Sequence, residues 1–251
     1  MQVEKQRYER ERTFHNKVFS EKSRSSVWKF YTIADVSERY YRECIVARGA
    51  RDVLEIGCGR SSVVSSLGRD VCFTAIDISE VAVQETAEVA LANGTRGTYL
   101  LMNAEETTFA DQSFDLVCGT GILHHLNLNK ACAEILRILR PGGCAVFIEP
   151  LGYNPLINLY RKMTPRIRSA DEHPLLKKDM DEIRSHFPQV DVRSFCLFSL
   201  AAVPFRKLKV FPAMKNSLER VDQFLFRAIP GSGRYAWMVV LTMSAPRRQT
   251  Q

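Results

Sequence analysis

A chain of 251 residues, 45% hydrophobic and 25% charged, is long enough for one large domain with a sizeable core, and its composition excludes a disordered or low-complexity protein. The net charge of +7 is uneven: 11 basic against 7 acidic side chains over residues 1–50, 7 against 13 over 51–150, and 17 against 8 over 151–251. The acidic middle and the basic flanks therefore need separate explanations. Seven cysteines at 44, 58, 72, 118, 132, 144 and 196 form no CxxC pair and fall mostly in apolar runs. They imply buried thiols in a reducing cytoplasm, with neither a disulfide framework nor a zinc site. Residues 1–12 alternate acid and base around no apolar stretch, unlike a secretory signal, and no run has the length of a membrane span.

In chain order, Trp28, Tyr31, Val36, Tyr40, Tyr41, Cys44 and Ile45 recur at helical spacing between Ser25 and Ala47, so residues 1–48 read as a helical lid. Strands are expected at Asp52–Ile56, Val71–Asp77, Thr98–Met102, Phe114–Cys118 and Cys144–Ile148. Between them, helices are expected up to Leu67, over Ser79–Ala92 with Asn93-Gly94 as its stop, and over Asn129–Leu139 before Pro141-Gly142-Gly143. This alternation predicts a parallel sheet with residues 49–150 as its core. A helix over Leu175–Phe187 and strands at Val190–Phe198 and Tyr235–Met243 follow, separated by insertions at about 151–174 and 199–233 that read as a cap. The expected fold is α/β, a Rossmann-like doubly wound sheet of seven strands. It is mostly parallel with an antiparallel C-terminal strand, and residues 151–251 supply the cap insertions and the last two strands.

The chain is organised around Val53-Leu54-Glu55-Ile56-Gly57-Cys58-Gly59-Arg60-Ser61-Ser62, an apolar run closing in a glycine turn. Gly57 and Gly59 permit positive φ and close approach of a ligand to bare backbone, and a following helix would offer N–H groups. Twenty residues after Gly57, at the end of the next apolar run, Asp77 stands where a carboxylate would hold a ribose diol. A dinucleotide turn asks for a third glycine or alanine where Ser62 stands, and it does not ask for the carboxylate Glu55.

Glu55-x-Gly57-x-Gly59 followed by Asp77 resembles the class I S-adenosylmethionine-dependent methyltransferases. The resemblance extends over about residues 50–150 through Asn103-Ala104-Glu105, Phe114-Asp115-Leu116-Val117 and Leu139-Arg140-Pro141-Gly142-Gly143, with Asn103 where the family commonly has Asp. It implies S-adenosylmethionine as cofactor. Gly57 and Gly59 would let its methionine part approach the backbone, with Glu55 below positioning the turn or a water. Asp77 would accept from the ribose hydroxyls, Asn103 and Ala104 would meet the adenine and Gly119 the methionine side near the sulfur, and Cys58, Ile78 and Glu105 complete the cofactor set. No metal is called for, because a sulfonium is already an activated leaving group.

Methyl transfer needs alignment and exclusion of water, with a base only for some nucleophiles. Candidate bases or substrate ligands are His124, His125 and Glu149, at the ends of the fourth and fifth strands. The segments around Tyr153, Arg161, Arg166, Arg168 and His173 resemble a bacterial small-molecule branch of the family, and with Tyr31 they form the expected substrate set. Under that reading the acceptor is a small, lipophilic and anionic metabolite or natural-product intermediate, its apolar body covered by Leu197, Phe198, Leu200 and Phe205. An isoprenoid diphosphate alkene is one alternative, with Glu149 stabilising the cation. The bland alternatives are local ion pairs of Arg166 or Arg168 with Asp171 or Glu172, a solvated basic face, or contact with anionic lipid headgroups. A nucleic-acid partner is disfavoured: no RNA-binding module is recognisable and no Asn-Pro-Pro-Tyr motif follows the fourth strand. A nicotinamide enzyme, or a binding protein without catalysis, also stays open, as does a monomer or a homodimer.

Overall fold

A computed structural model of the chain describes residues 2–21, 28–59, 62–68, 70–92, 94–95, 97–164 and 173–245. Seven strands form one sheet: β1 (Asp52–Ile56), β2 (Cys72–Asp77), β3 (Gly97–Leu101), β4 (Phe114–Thr120), β5 (Leu139–Pro150), β6 (Gln189–Phe195) and β7 (Met238–Ser244), in the order β3-β2-β1-β4-β5-β7-β6. β7 runs antiparallel to both β5 and β6, and the β1–β5 pairings are parallel. The seven-stranded mixed sheet and its single reversed strand are as the sequence led us to expect.

The inner strands β1, β2, β4, β5 and β7 are apolar on both faces because both are covered, whereas β3 and β6 at the edges are largely exposed. Val53, Phe73, Leu116, Val146 and Val240 belong to one buried cluster with Tyr41 and Ile45 of α3 (Asp35–Val46), which follows α1 (Gln2–Glu21) and the short α2 (Trp28–Tyr31). α4 (Glu80–Ala92) adds Ala90 to the same face. Leu54, Ile76, Val117, Phe147 and Leu241 turn the other way, towards Ile135 and Ile138 of α5 (Leu128–Ile138). Strand order reverses between β1 and β4, which opens a crevice at their carboxyl ends.

Three expectations need correction. No α-helix reaches Leu67 after β1; the described residues hold a four-residue 3-10 turn, Val63–Ser66. Serines that compete for backbone hydrogen bonds and two adjacent β-branched valines make this a poor helix. Its first N–H groups are also taken by the chain itself: Val63 N donates to Glu55 Oε1 at 2.9 Å and Val64 N to Ser62 Oγ at 3.2 Å. Second, β5 starts at Leu139 rather than Cys144; a register shift between Phe114 and Leu116 of β4 absorbs the Pro-Gly-Gly step. Third, the insertions contain more helix than their sequence suggested. After β5 come α6 (Pro155–Met163) and α7 (Lys177–His186), the latter in the expected place, then a 3-10 segment Phe198–Phe205 and the long α8 (Phe211–Ala228). Buried Asp222 of α8 accepts from the N–H groups of Leu197 at 2.9 Å, Phe198 at 2.6 Å and Ser199 at 3.2 Å, which ends β6 at Phe195 and pins α8 to it. Ser25, Asn93, Arg166, Arg168, Asp171 and Glu172 lie outside the described residues.

Candidate active site

Gly57 has φ +67°, and a Cβ there would stand 2.8 Å from the Ile122 side chain, so only glycine allows the turn and the β4 loop to meet. Gly119 is closed in the same way, with Ile122, Ile56 O and Phe147 within 2.8 Å of a Cβ. Beneath the turn, buried Glu55 accepts from Ser62 Oγ and Val63 N, so this carboxylate shapes the turn itself. Burial pushes its carboxyl up to about 8, against the opposing bonds from Ser62 and Val63.

Because the folded pKa of Glu55 is raised, the native state holds a proton that the unfolded chain releases near the ordinary carboxylate value. Its stabilising contribution is full below the unfolded pKa and is lost as pH rises through about 8. The slope is at most about 1.36 kcal/mol per pH unit. Glu55→Gln, unfolded in urea across that range without added cofactor, is expected to show a flatter pH dependence than the native chain. Equal slopes would dismiss the assignment.

At the tip of β2, Asp77 is buried, with Oδ1 accepting from Ser79 N at 2.8 Å and Oδ2 from Gly59 N at 3.4 Å. Burial raises its pKa, a cost that these backbone donors and the nearby His15 oppose. A carboxylate has about four acceptor positions, so this one ties the glycine turn to α4 and retains capacity for hydroxyl donors. Cys58 is buried and its thiol is pushed up to about 12, chiefly by desolvation, so it packs as a neutral group. Ile78 follows Asp77 directly. Past β3, the amide oxygen of Asn103 accepts from Glu105 N at 3.0 Å, forming the turn that buries Ala104. Glu105 spends its contacts on the protein, pairing with Arg7 and accepting from Asn127 N at 2.8 Å.

The carboxyl edge carries a second polar centre. Fully buried Glu149 of β5 accepts from Ile122 N at 2.9 Å and Leu123 N at 2.8 Å through one oxygen, and its other oxygen lies 2.6 Å from His124 Nδ1. The carboxylate thus builds the 3-10 turn Leu123–His125 and orients the imidazole within it. His125, its ring 4.3 Å from that of His124 and tilted 38° to it, reaches Glu11 Oε2 of α1 at 3.1 Å.

The sequence reading missed how α1 engages the site. Its side chains reach the loops after three successive strands: Asn16 Oδ1 accepts from Ser79 Oγ at 2.6 Å, Arg7 pairs with Glu105, and Arg7 Nη1 donates to His125 O at 2.9 Å. On α1 itself, Glu11 Oε2 lies 3.3 Å from His15 Nε2, one helical turn away.

The expected substrate residues are dispersed. Arg161 Nη1 donates to Leu151 O at 3.2 Å and Asn158 Oδ1 at 3.0 Å, His173 lies 3.6 Å from Asp179, and Tyr153 Oη accepts from Lys177 N at 3.1 Å. All four contacts lie within residues 151–179. Tyr31 instead packs edge-on against Trp237 at 5.6 Å, and Phe30 meets Tyr160 at 4.6 Å and Trp237 at 6.1 Å. Beside this aromatic group is an apolar cavity of about 380 Å³ lined by Phe30, Leu156, Leu200, Val203, Pro204 and Arg206. Neither Trp237 nor Phe30 carried a signal in sequence beyond being aromatic.

The glycine cradle, the buried carboxylate of Asp77 and the acidic surroundings fit a cationic nucleoside cofactor. The family model described as a methyltransferase domain matches residues 54–147. The demethylmenaquinone methyltransferase of Chlorobaculum parvum is 31% identical over 121 residues, 43% of this chain and 47% of that protein. An aklanonic acid methyltransferase of a Streptomyces species is 33% identical over 105 residues, 39% and 48% of the two chains. This chain therefore spans about half the length of either relative. In fold it is similar to a Haemonchus contortus phosphoethanolamine N-methyltransferase solved with S-adenosylhomocysteine, with TM-score 0.63, 15% identity, and 94% of this chain and 60% of that one covered. Residues 54–147 therefore carry a methyltransferase domain, and the glycine turn and Asp77 fit S-adenosylmethionine as its cofactor.

Proposed function

We propose that this chain transfers the methyl group of S-adenosylmethionine to a small, lipophilic acceptor with a polar or anionic head. The observation that carries the reading is the buried His124–Glu149 pair, 2.6 Å apart, at the carboxyl ends of β4 and β5. The bound cofactor supplies the electrophilic methyl group. Gly57, Gly59 and Asp77 hold it at the crevice, and the lid α1 excludes water above them. Glu149 accepts the Nδ1 proton of His124 and so favours the tautomer in which Nε2 is the basic nitrogen. His124 then takes the acceptor's proton or holds its nucleophilic atom in line, and His125 supports its ring by packing against it.

The acceptor's apolar body is assigned to the cavity beside Phe30 and Leu200. Trp237, against Phe30, leads to this centre, since its carbonyl accepts from Leu151 N at 2.8 Å, two residues past Glu149. Arg206 lines the cavity and is the cation assigned to an anionic head, in place of Arg161 and His173. Exposed Phe205, Leu208 and Val210 alternate with Arg206, Lys207 and Lys209 next to it, a pattern suited to an anionic lipid surface from which such an acceptor would be drawn. No helix among the described residues is long and apolar enough to cross a membrane. The names of the two curated relatives, a methyltransferase of demethylmenaquinone and one of aklanonic acid, support a lipophilic or acidic small-molecule acceptor.

The test has two stages. S-adenosylmethionine and S-adenosylhomocysteine are expected to raise the melting temperature and nicotinamide dinucleotides are not. Radiolabelled methyl should then pass to demethylated quinones or hydroxylated polyketides in preference to RNA. Stabilisation by a nicotinamide dinucleotide alone, or transfer to RNA alone, would reject the reading.

A further inference from the structure

Glu11 and His15 sit one turn apart on α1 and face His125 across the crevice. Glu11 Oε2 is 3.1 Å from His125 Nδ1 and 3.3 Å from His15 Nε2, and one donor atom from each of the three residues lies within 4.8 Å of the others. Glu11 and His125 are buried, and the His15 and His125 rings meet edge-on at 5.0 Å, so their nitrogens converge without the rings stacking. We propose that Glu11, His15 and His125 bind a divalent transition-metal ion that fastens α1 across the mouth of the cofactor crevice.

The spacing is what such an ion needs. Metal–ligand distances of about 2.0–2.1 Å at tetrahedral angles place ligand atoms about 3.3 Å apart, close to the two separations measured here. Two imidazoles and a carboxylate suit zinc, cobalt or ferrous iron and not the oxygen-rich preference of magnesium or calcium. The i, i+4 spacing presents both α1 ligands on one face, as paired ligands on a helix require. Three protein ligands leave a fourth coordination position, the arrangement of an open site that takes a water or an oxygen of a bound molecule.

The ring of His125 packs against His124 at 4.3 Å, and His15 lies near Asp77, so the ion would sit between the proposed base and the ribose carboxylate. Arg7 donates to the carbonyl of His125 and the Asn16–Ser79 bond lies one residue beyond His15, so the chain already holds α1 close on both sides. Metal occupancy would thereby link closure of the lid to order in the His124 turn. That link is separate from activation of the methyl group, for which the sulfonium suffices.

The full chain, stripped with a chelator and dialysed, is titrated with cobalt(II) while visible d–d absorption is followed, and zinc is then added as competitor. One equivalent of cobalt is expected to give the intense bands of a four- or five-coordinate site, and zinc to abolish them. Loss of an outer-shell partner alone costs about 10- to 100-fold in affinity, so Glu11→Gln and His15→Asn should each weaken binding by at least that factor. His186→Asn, on α7, serves as a control and should change nothing. A thermal shift with S-adenosylhomocysteine establishes that each variant folds, independently of any acceptor. A native chain without cobalt bands would overturn the proposal, as would affinity in folded Glu11→Gln and His15→Asn equal to that of the native chain. Should Glu11→Gln fail to fold, the native titration and His15→Asn decide.

Discussion

Glu149→Ala is expected to cost roughly 3–5 kcal/mol of folding stability and to abolish measurable methyl transfer. The side chain is fully buried and serves three donors: Ile122 N, Leu123 N and His124 Nδ1. Removing one partner of a buried charged network leaves the others unsatisfied, which costs about that much. Glu149→Gln separates structure from chemistry. Its amide oxygen still accepts from the two backbone N–H groups, so stability should fall by only about 1–3 kcal/mol. The charge facing Nδ1 is lost, so kcat should fall by about 100- to 10,000-fold, the range of a general base, with affinity for S-adenosylhomocysteine little changed. Urea denaturation, calorimetry and turnover distinguish the outcomes, and a Gln variant with native kcat would remove His124 and Glu149 from the chemistry.

Asp77→Ala is expected to weaken S-adenosylhomocysteine binding by 100-fold or more. Two charge-assisted bonds to a ribose diol, each about 1.5–3 kcal/mol, would disappear. The substitution also releases Ser79 N and Gly59 N, which link the glycine turn to the start of α4. Asp77→Asn keeps an acceptor of the same shape without the charge and should fall between Ala and the native residue. Calorimetric affinity of the Ala variant within twofold of native would refute the ribose assignment.

Legibility followed how local the cause was. Gly57, with its positive φ, and Asp77 at a strand tip were readable because a turn and a strand end are written in neighbouring residues. The helix expected after β1 failed for a related reason: helical spacing alone ignored Glu55 and Ser62, whose oxygens take the first N–H groups of the segment and hold it as a 3-10 turn. Glu149 was identified as a strand-tip carboxylate and candidate base or substrate ligand. Not legible was that it caps the turn after β4, 26 residues earlier in the chain, and orients His124 there.

By itself the sequence determined where the strands and the cofactor turn fall, because apolar periodicity and glycine placement act over a few residues. The alternation with helices implied the parallel arrangement, and the reversed last strand followed from the family resemblance. Only the tertiary structure decided what surrounds the crevice. Glu11 meets His125 across 114 residues of chain, and Phe30 meets Trp237 across more than two hundred. Such contacts depend on how helices pack over the finished sheet, where the energy comes from burial and from satisfying distant polar groups. No local spacing encodes which partner they find.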